Sequence, residues 1–181
     1  LQHQAEIYLD LARAINLRIE HPSMRFIPTE QERATIPHAA RPQVAVFPGG
    51  GSNPGMELTS KRWPAAQYHA LVQRLVQERA VDVLLIGGPG DVALNEQVMA
   101  GLTVPEGSVR NVAGKTSFGE TAALLEACAL FIGNDSSPMH LAAAVDIPVI
   151  AIFGPTSPQE YGPYPLDDPK HIAIWRHPTG Q

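Results

Sequence analysis

Leu130-Phe131-Ile132-Gly133-Asn134-Asp135-Ser136-Ser137-Pro138-Met139-His140-Leu141-Ala142-Ala143-Ala144 is an apolar run that stops in a small polar turn and resumes as a helix-forming run. Large apolar residues without polar alternation read as a buried strand. Pro138 stands where a first helical residue should, because a helix start leaves its leading N–H groups unpaired and proline has none to lose. Strand, polar turn and helix make one β-α unit, and the rest of the chain repeats it.

Working outward, further β-rich apolar runs occupy residues 44–47, 81–86, 109–112 and 149–153. Helix-like spacing covers residues 64–79, 91–100, 118–127 and 138–144, and Pro64 repeats the placement of Pro138. Such alternation predicts an α/β fold with a doubly wound, Rossmann-like parallel sheet. Ligands in that fold bind outside the carboxyl ends of the strands. Residues 1–17 have Ile7, Leu11, Ala14 and Ile15 at the spacing of one helical face. Residues 18–42 carry Pro22, Pro28, Pro37 and Pro42 and read as an interdomain linker or an extended crossing segment. The division is therefore residues 1–42 as connecting helix and linker, 43–165 as the Rossmann-like domain and 166–181 as a tail. That tail either packs back across domains or leads to a final strand at 171–175. The helix opens at Leu1 without an initiator Met, which predicts a cut within a longer protein.

Composition narrows the possible partners. With 44% hydrophobic and 17% charged residues in 181, one core can form without disulfides or metals. Thirteen Lys and Arg against 18 Asp and Glu leave a net charge of −5, so no broad basic face is offered to nucleic acid. The single Cys128 lies in an apolar run and reads as a small buried hydrophobe. No stretch reaches the roughly 18 apolar residues of a membrane span, no secretory signal pattern is present, and a reducing cytoplasm is the expected compartment.

The polar turns all fall at predicted strand ends. Pro48-Gly49-Gly50-Gly51-Ser52-Asn53-Pro54-Gly55 lets backbone amides approach a ligand, with Gly50 and Gly51 at its centre, although a plain connection explains it equally well. Its spacing fits neither the P-loop nor the dinucleotide fingerprint. Lys61-Arg62-Trp63-Pro64 puts two cations directly before a helix start, a corner suited to a diphosphate; otherwise they are solvated loop charges and Trp63 is a packing residue. Gly87-Gly88-Pro89-Gly90-Asp91 delivers a carboxylate that could accept from a ribose diol or cap the next helix. In Asn111-Val112-Ala113-Gly114-Lys115-Thr116-Ser117 a capping box of Ser117 with Glu120 accounts for the sequence without a ligand. Asp135, Ser136, Ser137 and His140 crowd four polar groups into six positions. Singly they are turn residues, a cap and a core histidine; jointly they favour a ligand site.

Lys61-Arg62-Trp63-Pro64, Gly87-Gly88-Pro89-Gly90-Asp91, Asn134-Asp135-Ser136-Ser137-Pro138-Met139-His140-Leu141-Ala142 and Phe153-Gly154-Pro155-Thr156, in that order, resemble the donor domain of the bacterial lipopolysaccharide heptosyltransferases, glycosyltransferase family nine. The resemblance implies the carboxy-terminal half of a two-domain GT-B glycosyltransferase that moves heptose from ADP-heptose to the lipopolysaccharide inner core by inversion. It implies that Lys61 meets the donor phosphates or sugar, Asp91 the ribose and Asp135 the heptose hydroxyls. Ser136, Ser137 and His140 then surround the diphosphate, with Gly50 and Gly51 also at the donor. It implies no catalytic residue in this chain, the base being an acidic side chain of the absent amino-terminal domain, and no cofactor or metal. The acceptor is held through that missing domain, and a peripheral contact with the inner membrane is open to the longer protein. Two other classes stay in view: a related enzyme using another nucleotide sugar, as a UDP-sugar transferase or epimerase, and a non-catalytic nucleotide-binding module.

Overall fold

The computed structural model describes residues 1–53 and 56–175. Along the chain it places α1 (Gln4–Ala14), α2 (Glu30–Ala34), β1 (Gln43–Phe47), a small ribbon of β2 (Ser52–Asn53) and β3 (Met56–Glu57), α3 (Ala65–Arg79), β4 (Asp82–Leu85) and α4 (Val92–Met99). There follow β5 (Val109–Asn111), α5 (Phe118–Glu126), β6 (Leu130–Asn134), α6 (Ser137–Ala144), β7 (Val149–Phe153), α7 (Pro158–Tyr161) and β8 (His171–Trp175). Six of the strands form one sheet in the order β5-β4-β1-β6-β7-β8, every pairing parallel. Counted along the sheet's own strands this is the order 3-2-1-4-5-6 of a Rossmann-like doubly wound fold.

Side chains alternate across a strand, so β1 feeds both layers. Val44 and Val46 meet Tyr68, Val72 and Val76 of α3 and Val98 of α4. Ala45 and Phe47 face the opposite way and join the core beneath α5 and α6. Each of these valines and Phe47, fully buried, contributes roughly 1.5–3 kcal/mol. Cys128 behaves as expected of a buried hydrophobe: its Sγ donates to Leu124 O, and burial pushes its pKa up to about 12. The predicted capping box forms at α5, where Ser117 Oγ accepts from Glu120 N at 3.3 Å and Ser117 N donates to Glu120 Oε2 at 2.8 Å.

Three features extend or correct the sequence reading. The sheet does not stop at residue 165, because β8 pairs along its length with β7, Ile172 beside Ile150 and Ile174 beside Ile152. Nor is the 18–42 segment merely extended. Thr29 and Glu32 close a second capping box that starts α2, and Arg33 binds Glu126 of α5 through Nε at 2.6 Å and Nη2 at 2.9 Å. Phe26 and Ile36 pack against the core beneath α5 and α6. Finally, α1 is tied to the domain at its first turn: His3 Nδ1 accepts from Ala5 N, its Nε2 lies 3.0 Å from Gly162 O, and its ring stacks on Tyr164.

Candidate functional site

Between β1 and β6 the strand order reverses, so the connections leaving these two strands diverge and open a crevice at their carboxyl ends. A cleft of about 580 Å3 occupies this switch point. Gly50, Gly51, Lys61, Asp91, Asp135, Ser136, Ser137 and His140 all line it, brought together from four separate turns. A hollow of about 590 Å3 lies around Cys128 and away from the strand ends at the switch point, and there Arg33 is already tied to Glu126.

The cleft is organised around two neighbours at the end of β6. Asn134 is fully buried, and its amide works in both directions: Oδ1 accepts from Trp63 N at 3.0 Å, while Nδ2 donates to Pro48 O at 2.9 Å and Gly49 O at 2.8 Å. This one side chain ties the glycine-rich turn and the Lys61 turn to the central sheet. Arg62 adds a second tie, Nε donating to Gly50 O at 2.7 Å. Gly51 has φ of 69° and packs so closely on the Leu58 carbonyl that any side chain would overlap it. Asn134 lay inside the quoted motif, yet nothing local marked it as a clamp, since its partners sit far away in sequence.

Asp135 forms an ion pair with Lys61, Nζ to Oδ2 at 2.7 Å, with side-chain exposures of only 20% for the lysine and 7% for the aspartate. Beyond Asp135 the chain enters α6. Ser136 occupies the cap position, but its hydroxyl turns back to Asn134 O at 3.0 Å and no side chain caps the helix. Ser137 is the first helical residue rather than a cap. Pro138 has no N–H and Met139 N donates to Ser136 O at 3.1 Å, so it is the Ser137 amide and the positive end of the α6 dipole that are left without a side-chain acceptor at the cleft. His140, one turn in, has no hydrogen-bond partner among the described residues. Burial pushes its pKa below the ordinary imidazole value, partly opposed by the Asp135 carboxylate.

Asp91 ends a single tight turn before α4 and does not cap that helix; instead Oδ2 accepts from Gly88 N at 2.9 Å, and Oδ1 lies against Gly49. Phe47, Leu58, Ile86, Phe118 and Leu141 supply an apolar wall. Thr116 reaches the cleft but shares a 2.7 Å hydrogen bond with Thr121, and Lys115 is occupied by Asn111 O. Among the described residues no group of three His, Cys, Asp or Glu could hold a metal ion. Chemically the arrangement joins an anion site, made of the α6 amino terminus and Lys61, to two carboxylates able to accept from hydroxyls, beside an apolar face.

Sheet order and cleft together define a Rossmann-like α/β domain with its polar site at the topological switch point. The family model for Glycosyltransferase family 9 (heptosyltransferase) matches residues 2–177, and the chain belongs to that family. It is 34% identical over 169 residues to lipooligosaccharide heptosyltransferase 2 of Haemophilus influenzae, covering 87% of this chain and 46% of that protein. The solved structure of Escherichia coli ADP-heptose LPS heptosyltransferase II superimposes with a TM-score of 0.74 at 28% identity, covering 92% of this chain and 49% of that one. A family 9 glycosyltransferase from Veillonella parvula shares the fold with a TM-score of 0.81 at 22% identity, covering 96% and 49%. The chain thus spans about half the length of these proteins.

Proposed function

We propose that this chain is the donor-binding, carboxy-terminal half of a GT-B heptosyltransferase that transfers heptose from ADP-heptose to the lipopolysaccharide inner core with inversion. The observation that carries the reading is the convergence, within a family 9 fold, of Lys61, Asp135 and the uncapped start of α6 in one cleft. In this reading the diphosphate lies at the α6 amino terminus, on the Ser137 amide and beside Lys61, Ser136, Ser137 and His140. Developing negative charge on the leaving group is met there by dipoles and a cation already in place. Gly50 and Gly51 let the backbone close on the same oxygens. Asp91 accepts from the ribose, Asp135 from heptose hydroxyls, and the apolar wall takes the base.

Deprotonation of the acceptor hydroxyl needs a general base. The reading assigns it to an acidic residue of the other half, which also holds the acceptor, and places the full-length protein in the cytoplasm with a peripheral contact to the inner membrane open to it. Residues 1–42 connect the halves. The 181 residues alone then bind donor without turning it over, and they use no cofactor or metal.

Calorimetric titration tests this directly. ADP and ADP-heptose are expected to bind and a UDP-sugar to bind far more weakly; a folded sample that ignores both adenine ligands would sink the proposal. As its residue-level arm, Asp135→Ala should weaken ADP-heptose at least about tenfold through loss of a charged acceptor, while ADP is unchanged or tighter because Lys61 is released to the phosphates. Equal losses for both ligands would move Asp135 off the sugar.

A further inference from the structure

The turn after β7 does not line the cleft, yet it touches the Lys61 and Asp135 pair from behind at several points. Thr156 Oγ1 donates to Asp135 Oδ2 at 2.7 Å, the same oxygen that receives Lys61 Nζ at 2.7 Å. Gly154 passes so near the Lys61 turn that a Cβ on it would lie 2.8 Å from Ser60 O. The Tyr161 ring stands 5.8 Å from Lys61 Nζ, within the range of cation–π attraction. Trp175 Nε1 donates to Gly154 O at 3.2 Å and fastens this turn to β8.

Both described donors to Asp135 therefore converge on Oδ2. Oδ1 accepts from no described residue and is not among the sealed polar atoms that lack a partner, so on a residue that lines the cleft it is the oxygen left to accept from a ligand. Lysine alone would fix little, because an ammonium is a point charge that either carboxylate oxygen satisfies as the group turns. A hydroxyl on a turn bracketed by Pro155 and Pro158 defines a direction, and with it the plane of the carboxylate. Ending β7 would explain the prolines and the glycine, but not a side-chain hydrogen bond aimed at Asp135.

We infer that Thr156 is a positioning residue: it reserves Asp135 Oδ2 for the pair with Lys61 and thereby presents Oδ1 to hydroxyls of the sugar portion of a nucleotide-sugar ligand. The inference rests on the donor-site reading above and assigns Thr156 no contact with the ligand itself. It predicts that Thr156 governs recognition of the sugar and leaves the nucleotide alone.

The test is calorimetry on the 181-residue chain with ADP and ADP-heptose, comparing the parent, Thr156→Val and Thr156→Ser, with melting followed in parallel. Valine keeps the shape and removes the hydroxyl; serine keeps the hydroxyl. The expected result is ADP-heptose about tenfold weaker in Thr156→Val, ADP within about twofold, and ADP-heptose restored to within about threefold in Thr156→Ser. Unchanged affinities, equal losses for both ligands, or no recovery with serine would each overturn the assignment. Should the valine variant fail to fold, Thr156→Ala is read by the same criteria. A folded parent that binds neither ligand ends the donor-site reading itself, and it is told apart because no variant is involved.

Discussion

His140 shows how a single residue couples the cleft to pH. Burial is the largest influence on its imidazole and lowers the pKa; Asp135 raises it, while His3 and Lys61 lower it further. The folded value therefore lies below the unfolded value of about 6.5. As pH falls, the unfolded chain takes up this proton first, so the stability linked to neutral His140 is complete above about pH 6.5 and is lost progressively below it. His171 is shifted the same way, again mainly by burial, so the parent carries two such groups. Melting temperature should accordingly fall as pH drops from 6.5 towards 5, and His140→Asn, which cannot titrate, should fall less steeply. Parallel curves for parent and variant would remove His140 from the effect. The pattern was half visible in sequence: His140 stood in the right turn, but its missing hydrogen-bond partner and its burial depend on residues that only folding brings near.

At the scale of elements, the cleft depends on how the end of β6 holds the turns beside it. Asn134 was legible as part of a polar turn after a strand; that it binds Pro48, Gly49 and Trp63 was not, because those contacts join segments paired only through the sheet. Replacing Asn134 with Ala leaves one buried N–H and two carbonyls without their partner, and should cost about 2–4 kcal/mol of unfolding free energy. Asn134→Asp should be worse, since a carboxylate oxygen would then face the two carbonyl oxygens that the amide now serves. Denaturant unfolding measures both; an aspartate variant as stable as the alanine one would show that the clamp is not oriented as described. α2 makes the complementary point. Its Thr29-Glu30-Gln31-Glu32 signature is a local capping box, but prolines on either side made the segment read as linker, and docking against α5 decides that a single helical turn persists there.

At the scale of the whole molecule, apolar surface among the described residues lies uncovered on α1 and at the edge of the sheet. Along one face of α1 and its C-cap, Ile7, Leu11 and Ile15 are 43%, 66% and 71% exposed. At the sheet edge, Ile172 and Ile174 are 54% and 55% exposed beside Ile150 and Ile152 of β7, on the face that α3 and α4 cover farther along the sheet. Contiguous apolar surface of this kind marks contact with other protein, and the related proteins are about twice as long as this chain. The 181 residues in isolation should therefore bind a hydrophobic dye and self-associate as concentration rises. Replacing Ile172 and Ile174 together with Thr, which keeps strand propensity, should reduce both signals. A monomer that ignores the dye at high concentration would show that these faces are too dispersed to act as patches.

The amino-acid sequence by itself determined the β-α alternation, the burial of Cys128 and the turns that carry Lys61, Asp91, Asp135 and His140, because periodicity, proline placement and capping are local properties of a chain. It also carried the family resemblance, since that resides in ordered short motifs. What only the tertiary structure decided is the strand order, which sets β6 beside β1 and so makes four separate turns into one cleft. The tertiary structure likewise decided that Thr156 and Lys61 share one oxygen of Asp135. The physical reason is common to all of these: a hydrogen bond between side chains tens of residues apart depends on register and sheet order, and neither is written in the spacing of residues along the chain.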